Sequence, residues 1–185
     1  MKRILSALLI AGLFLWSASQ VLAFKPAVVF DMGGKFDKSF NEGIWNGLER
    51  FRKETGIKYR EFEVRQEAQR EQFLRKLASR GSDPILAVGF AQADAVSKVA
   101  KEFPKTRFSI IDVNWLNQPN IQGIAFKEHE GSFLVGALAA MKSGSSAVGF
   151  VGGMDIPLIR KFACGYVQGV KHIKPGVVVY QKMTG

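Results

Sequence analysis

The chain has 185 residues, 47% of them hydrophobic, and a formal net charge of +10. A single cysteine, Cys164, excludes an internal disulfide, and the two histidines, His129 and His172, share no metal-ligand spacing with it or with each other. Basic residues alternate with Glu49, Glu54, Glu71 and Glu102 along expected helix faces and form no run with interleaved aromatics, so nucleic acid is not an expected partner.

Residues 1–23 have the layout of an export signal. Lys2 and Arg3 form a positive start, Ile4 to Trp16 an apolar stretch too short for a membrane span, and Val21-Leu22-Ala23 a small-residue cleavage site. No cysteine lies near that site, which predicts a freely soluble periplasmic protein beginning near Phe24 rather than a lipoprotein. Without Lys2 and Arg3 the net charge falls to +8.

From Phe24 onward, strand and helix patterns alternate. Strands are expected at 27–30, 58–64, 85–89, 107–113, 121–126, 147–151 and 177–180, and helices at 39–55, 66–79, 92–103, 128–141 and 157–173. Gly56 and Gly81 can take the left-handed conformation that ends a helix, and Pro104 cannot continue one. Phe73, Leu74, Leu77 and Ala78 make an apolar stripe, with Glu71 and Arg75 paired outside it. Near-continuous apolar strands between amphipathic helices predict an α/β fold with a parallel, Rossmann-like sheet covered on both faces. Cys164, among Phe162, Ala163, Tyr166, Val167 and Val170, is expected to be a buried small hydrophobe.

The most informative segment is Asp31-Met-Gly-Gly-Lys-Phe-Asp-Lys-Ser-Phe-Asn41. It joins the first strand to a helix on which Phe40, Ile44, Leu48 and Phe51 recur at helical spacing. The spacing of Ser39 and Glu42 is that of a capping box, with Ser39 as N-cap. Asp31, Phe40 and Asn41 then meet at the carboxyl end of a strand, where open α/β sheets bind ligands. An anionic acceptor, an aromatic face and an amide could together read a ribose and a base. Each also has a plain structural role open to it: Phe40 in the core, Asp31 in a turn, Asn41 at a helix start.

A faint repeat links Val28-Val29-Phe30-Asp31-Met32-Gly33-Gly34 to Val148-Gly149-Phe150-Val151-Gly152-Gly153. Both read as strand, glycine pair, helix. Two related lobes facing a cleft are therefore expected, with a complete first lobe at 24–126. Residues 127–185 would begin a second lobe of two or three strands that stops in mid-fold, with an uncovered edge.

These residues resemble the Bmp family of substrate-binding proteins, the purine-nucleoside receptors and basic membrane proteins that serve ABC importers. The matching segments are DMGGKFDKSFNEGIWNGL (31–48), VGFAQADAV (88–96), FSIIDV (108–113), FKEHEGSFLVGALAA (126–140) and GFVGGMDIPLIRKFACGYVQGV (149–170). The resemblance implies a type I periplasmic-binding-protein-like fold that closes on its ligand by a hinge motion. It also implies that Asp31, Phe40, Asn41 and Asp112 line the first-lobe side of the cleft. By analogy Phe40 stacks on the base, Asn41 hydrogen-bonds its edge and Asp112 takes ribose hydroxyls. Gly89 would allow a close backbone approach, while Phe90 is either a wall of the site or packing beneath the loop. Relatives continue into the rest of the second lobe, which carries the opposing aromatic, so residues 1–185 alone are expected to bind a nucleoside weakly or not at all.

The expected partners are thus a nucleoside-like small molecule and the permease subunits of an ABC importer, with no cofactor and a monomeric state. A different heteroaromatic ligand such as riboflavin, a non-binding remnant and a surface adhesin are the alternatives. Enzymatic turnover has little support. Asp31 or Asp112 could act as a base, but no activated nucleophile or metal set accompanies them, and Gly33-Gly34-Lys35 lacks the spacing of a phosphate loop.

Overall fold

The computed structural model describes residues 24–185, so the expected export signal lies outside the described residues. The order of elements is β1 (Ala27–Phe30), α1 (Phe40–Thr55), β2 (Arg60–Glu63), α2 (Gln69–Ser79), β3 (Ile85–Ala87), a 3-10 turn (Phe90–Gln92), α3 (Ala93–Glu102), β4 (Phe108–Ile111) and β5 (Ile121–Ile124). There follow α4 (Glu128–Lys142), β6 (Ala147–Gly152), α5 (Pro157–Ile173) and β7 (Val178–Met183).

Strands β1 to β5 form one parallel sheet in the order β2-β1-β3-β4-β5. Period-2 geometry divides β1 between two cores. Ala27 and Val29 join Leu74, Leu77, Val96 and Val99 under α2 and α3, whereas Val28 and Phe30 join Ile44, Trp45 and Leu48 under α1. All four β1 residues are buried, each large one contributing about 1.5–3 kcal/mol by the usual transfer scale. This two-sided burial is why the strand reads as a continuous apolar run. The edge strand β2 is charged instead, and Glu61 pairs there with Lys35. Helix α1 ends as expected at Gly56, which has φ +72° and donates its N–H to Arg52 O at 2.9 Å.

The order of strands reverses between β1 and β3, because the chain leaves β1 toward β2 and returns past β1 to β3. A crevice at the carboxyl ends of β1 and β3 follows from that reversal.

Strands β6 and β7 form a separate two-stranded parallel sheet. Helices α4 and α5 pack so closely that a Cβ on Gly136 would lie 2.0 Å from Tyr166 O, and one on Gly169 2.0 Å from Phe133 O. Ala140, Tyr166, Val170 and Val177 make a small core below them. Leu134, Leu138 and Met141 of α4 and Val151, Val178 and Tyr180 of the sheet are exposed. No helix among the described residues is long and apolar enough to cross a membrane.

Three local expectations are corrected. Ser39 occupies the N-cap position but makes no side-chain cap bond; Asp37 supplies it, accepting the N–H groups of Ser39, Asn41 and Glu42 at 2.9, 3.0 and 3.1 Å. The Glu42 carboxylate reaches Lys38 N at 3.0 Å rather than Ser39 N. Helix α2 begins at Gln69 rather than 66, since 66–68 form a turn over which the Gln69 Oε1 accepts the N–H groups of Arg65 and Gln66 at 2.8 and 3.1 Å. Cys164 is exposed. Gly165 and Gly169 hold the contact with α4 while Tyr166 and Val170 fill the core, which leaves Cys164 on the rim of α5.

Candidate ligand-binding site

Asp31 follows β1 directly, and the turn after it uses φ +111° at Gly33 and +75° at Gly34, values that favour glycine. This turn carries the chain to Asp37 and the start of α1. Asp37 lies below the ordinary carboxylate value: burial pushes it up, but hydrogen bonds from Asn41, Glu42 and Ser39 together outweigh that.

Gly89, between β3 and the 3-10 turn, has φ +95° and ψ 148°, a region essentially reserved for glycine. A Cβ there would lie 3.2 Å from Asp31 Oδ2 and 3.6 Å from Phe40 Cε1. The carboxylate of Asp31 and the ring of Phe40 therefore border the same small space above Gly89. Phe40 is 37% exposed, so its ring is not consumed by the core. Of the polar groups expected beside it, Asn41 is 3% exposed and its carboxamide is engaged within the protein. Its Oδ1 accepts Asp31 N at 3.3 Å and its Nδ2 donates to Asp37 Oδ2 at 3.1 Å. Phe90 is half-buried and packs against the main core.

Asp112 follows β4 with φ +64°, uncommon for a residue with a side chain, and its N–H bonds Ile124 O at 2.7 Å. Burial, followed by the charge of Glu128, pushes its carboxyl above the ordinary value, while Lys161 works in the opposite direction. Lys161 of α5 pairs with Glu128 at the start of α4 and donates to Phe126 O at 2.8 Å. The Lys161–Glu128 pair thus forms a charged clasp where the chain passes from the five-stranded sheet to the two-stranded one, and its charges reach Asp112.

Two residues at the crevice carry no sequence signal. Arg70 of α2 donates from Nη2 and Nε to Asp31 Oδ1 at 3.2 and 3.4 Å. Gln92, fully buried, donates from Nε2 to Val29 O and Val88 O, both at 2.9 Å, and so ties β1 to β3 beneath Asp31 and Gly89. Spacing reveals neither, because Asp31 lies 39 residues from Arg70 and Val29 63 residues from Gln92.

A cavity of about 650 Å³ lies elsewhere, between α4 and α5, lined by His129, Phe133, Leu134, Lys161, Cys164 and Gln168 among others. Its size and apolar lining alone would favour it as a ligand site. Its one strong cation, Lys161, is already committed to Glu128. The crevice above Gly89 instead holds an acceptor, a ring and a bare backbone at a sheet's switch point.

A five-stranded parallel sheet with this order, followed by a second, two-stranded parallel sheet with its own helices, is the architecture of periplasmic-binding-protein-like solute-binding proteins. The chain belongs to the Bmp family, described as ABC transporter substrate-binding protein PnrA-like, whose pattern matches residues 24–185. It is 33% identical over 165 residues to the ABC transporter nucleoside-binding protein BmpA of Lactococcus lactis, covering 87% of this chain and 47% of that protein. It is 34% identical over 168 residues to an uncharacterized lipoprotein of Pyrococcus horikoshii, covering 88% of this chain and 40% of that one. A solute-binding protein of an ABC transporter system from Aeropyrum pernix K1 superposes with a TM-score of 0.78 at 31% identity, covering 88% of this chain and 48% of the other. The chain spans less than half the length of these relatives.

Proposed function

We propose that this chain is the ligand-recognising first part of the substrate-binding component of an ABC importer, and that its ligand is a purine nucleoside. The carrying observation is the convergence of Asp31 Oδ2 and the Phe40 ring on Gly89. A ring partly open to solvent offers a stacking face, and an adjacent carboxylate oxygen accepts hydrogen bonds from a hydroxyl or ring N–H. Asp112, at the end of β4, supplies a second acceptor for ribose hydroxyls. Asn41 acts by fixing Asp31 and Asp37, and its unused N–H is the part left for a base edge. Gly89 contributes its missing side chain, and Phe90 backs the loop from the core side. The nucleoside-binding name of the Lactococcus lactis relative supports this ligand class.

The reading includes a division into lobes at 24–126 and 127–185, export across the inner membrane without lipid attachment, a monomeric state, and delivery to membrane permease subunits. It includes neither nucleic-acid binding nor catalysis. The experiment is a titration of the purified chain with inosine, guanosine, adenosine and riboflavin, followed by NMR so that millimolar affinity is visible, with Phe40→Ala alongside. Saturable shifts with the purine nucleosides that vanish in Phe40→Ala support the proposal; a response to riboflavin alone assigns a different heteroaromatic ligand. Recovery of intact nucleoside by chromatography supports a receptor, and released base indicates a hydrolase.

A further inference from the structure

Of the polar residues buried among the described residues (Asn41, Arg70, Ser82, Gln92 and Ser132), only Arg70 carries a charge. A guanidinium taken out of water needs a partner, because leaving it uncompensated is strongly destabilising. Two carboxylates are near it. Glu67 stands 3.7 Å away with its side chain 82% exposed, a separation and solvation that make the contact weak. Asp31 stands at 3.2 Å, with side chains 11% and 21% exposed for Arg70 and Asp31.

The manner of this contact decides what it does. Nε and Nη2 of Arg70 both donate to the same oxygen, Asp31 Oδ1. The pair is therefore not the two-oxygen fork that would consume the whole carboxylate. Oδ2 is left on the far side, over Gly89 and next to the Phe40 ring. The backbone N–H of Asp31 is held at the same time by Asn41 Oδ1. Both the backbone and one carboxylate oxygen of Asp31 are thus anchored, and the remaining oxygen points into the crevice.

We propose that Arg70 is a positioning residue for ligand recognition: it holds Asp31 so that Oδ2 alone is presented beside Phe40. The proposal rests on the functional reading above and adds a specificity element to it. The guanidinium balances the charge of the carboxylate, so the site offers a directed acceptor with little net charge. Such an acceptor suits a neutral ligand bearing a hydroxyl or N–H donor, as a nucleoside does, rather than a cation drawn by a bare carboxylate. Without Arg70, Asp31 loses the fixed direction of Oδ2.

The test uses the full chain with Arg70→Met, Arg70→Lys, Asp31→Asn and the double variant Arg70→Met/Asp31→Asn. In the ligand-free protein, hydrogen exchange at the Arg70 Nε–H, followed by 1H–15N NMR, should be slowed and should speed up roughly tenfold in Asp31→Asn, the scale of one charge-assisted bond. Inosine affinity should fall roughly tenfold in Arg70→Met, recover in part in Arg70→Lys, and change less than about twofold when Arg70→Met is added to Asp31→Asn. A merely structural role would instead lower affinity by the same factor in both backgrounds, in step with the thermal midpoint, and would overturn the proposal. If the unsubstituted chain binds no nucleoside, the functional reading falls. The pairing is then decided by exchange alone, and an Arg70 Nε–H indifferent to Asp31→Asn overturns it.

Discussion

The carboxylate of Asp37 closes the first turn of α1 around Asn41, accepting its backbone N–H at 3.0 Å and its Nδ2 at 3.1 Å. Asn41 in turn accepts Asp31 N at 3.3 Å, so a single chain of hydrogen bonds runs from the helix cap to the candidate site. Asp37→Ala should cost about 1–2 kcal/mol of stability, in line with loss of a helix cap. The cap also gives a signed pH effect. The folded carboxyl lies below its ordinary value, so its contribution is present above the unfolded value, about pH 4, and is lost as pH falls through the folded one. Thermal denaturation of wild type and Asp37→Asn at several pH values checks this: the gap should be full at neutral pH and narrow in acid. A gap that widened on acidification would contradict the assignment.

Gly89 is where backbone geometry and site meet. Alanine there faces both the glycine-only region at φ +95° and a 3.2 Å approach to Asp31 Oδ2. Gly89→Ala should cost about 1–3 kcal/mol in stability. It should also displace the carboxylate, weakening nucleoside binding beyond what the loss of stability explains. Calorimetric unfolding and an inosine titration on the same sample separate the two effects.

Two glycines in the α4–α5 pair should respond in opposite directions. A Cβ added at Gly131 would meet nothing within 4 Å, so Gly131→Ala should stabilise by up to about 1 kcal/mol through helix propensity. Gly169→Ala would place its Cβ 2.0 Å from Phe133 O and 2.8 Å from Ala137 N, forcing the helices apart at a cost of about 1–3 kcal/mol or more. Hydrogen exchange would locate the loss in α4 and α5. Stabilisation by Gly169→Ala would show that the close helix crossing is wrong.

Asp112 carries a different pH signature. Burial and the charge of Glu128 raise its carboxyl, so its favourable contribution is complete below the unfolded value and is lost as pH rises through the folded one. Asp112→Asn removes that dependence and keeps a residue tolerant of φ +64°. The variant should equal or exceed wild type in thermal midpoint at neutral pH, and wild type should gain on it toward about pH 4. Asp112→Ala, which lacks that tolerance, should lose on the order of 1 kcal/mol. Nucleoside affinity should fall in both variants.

These sites show how far the sequence can be read. β1 is visible because Val28, Val29 and Phe30 are buried on alternating faces, and α1 because Phe40, Ile44 and Leu48 repeat at helical spacing. Gly56 marks its own helix end through its left-handed conformation. The cap at Ser39 is misleading because two local signals compete there. Lys38 adopts φ +56° and turns the chain so that Asp37, two residues upstream, reaches the free N–H groups first. The exposure of Cys164 is hidden because periodicity identifies an apolar face but not its width: with glycines making the helix contact, the face that is buried is narrow. Arg70 and Gln92 are invisible for a plainer reason, since the partners that bury them come from other parts of the chain. Among the expected site residues, Asp31, Phe40 and Gly89 are brought together, while Asn41 has its Oδ1 and one Nδ2 hydrogen taken by internal bonds and Phe90 packs against the core.

The most direct measurement is an inosine titration of the chain labelled at phenylalanine rings and at backbone amides, with Phe40 assigned by comparison with Phe40→Ala. Stacking of a purine on the exposed ring predicts saturable upfield shifts of the Phe40 signals, accompanied by changes at Asp31 and Gly89. Shifts confined to Phe133 and His129, in the cavity between α4 and α5, would place the ligand elsewhere and contradict the account.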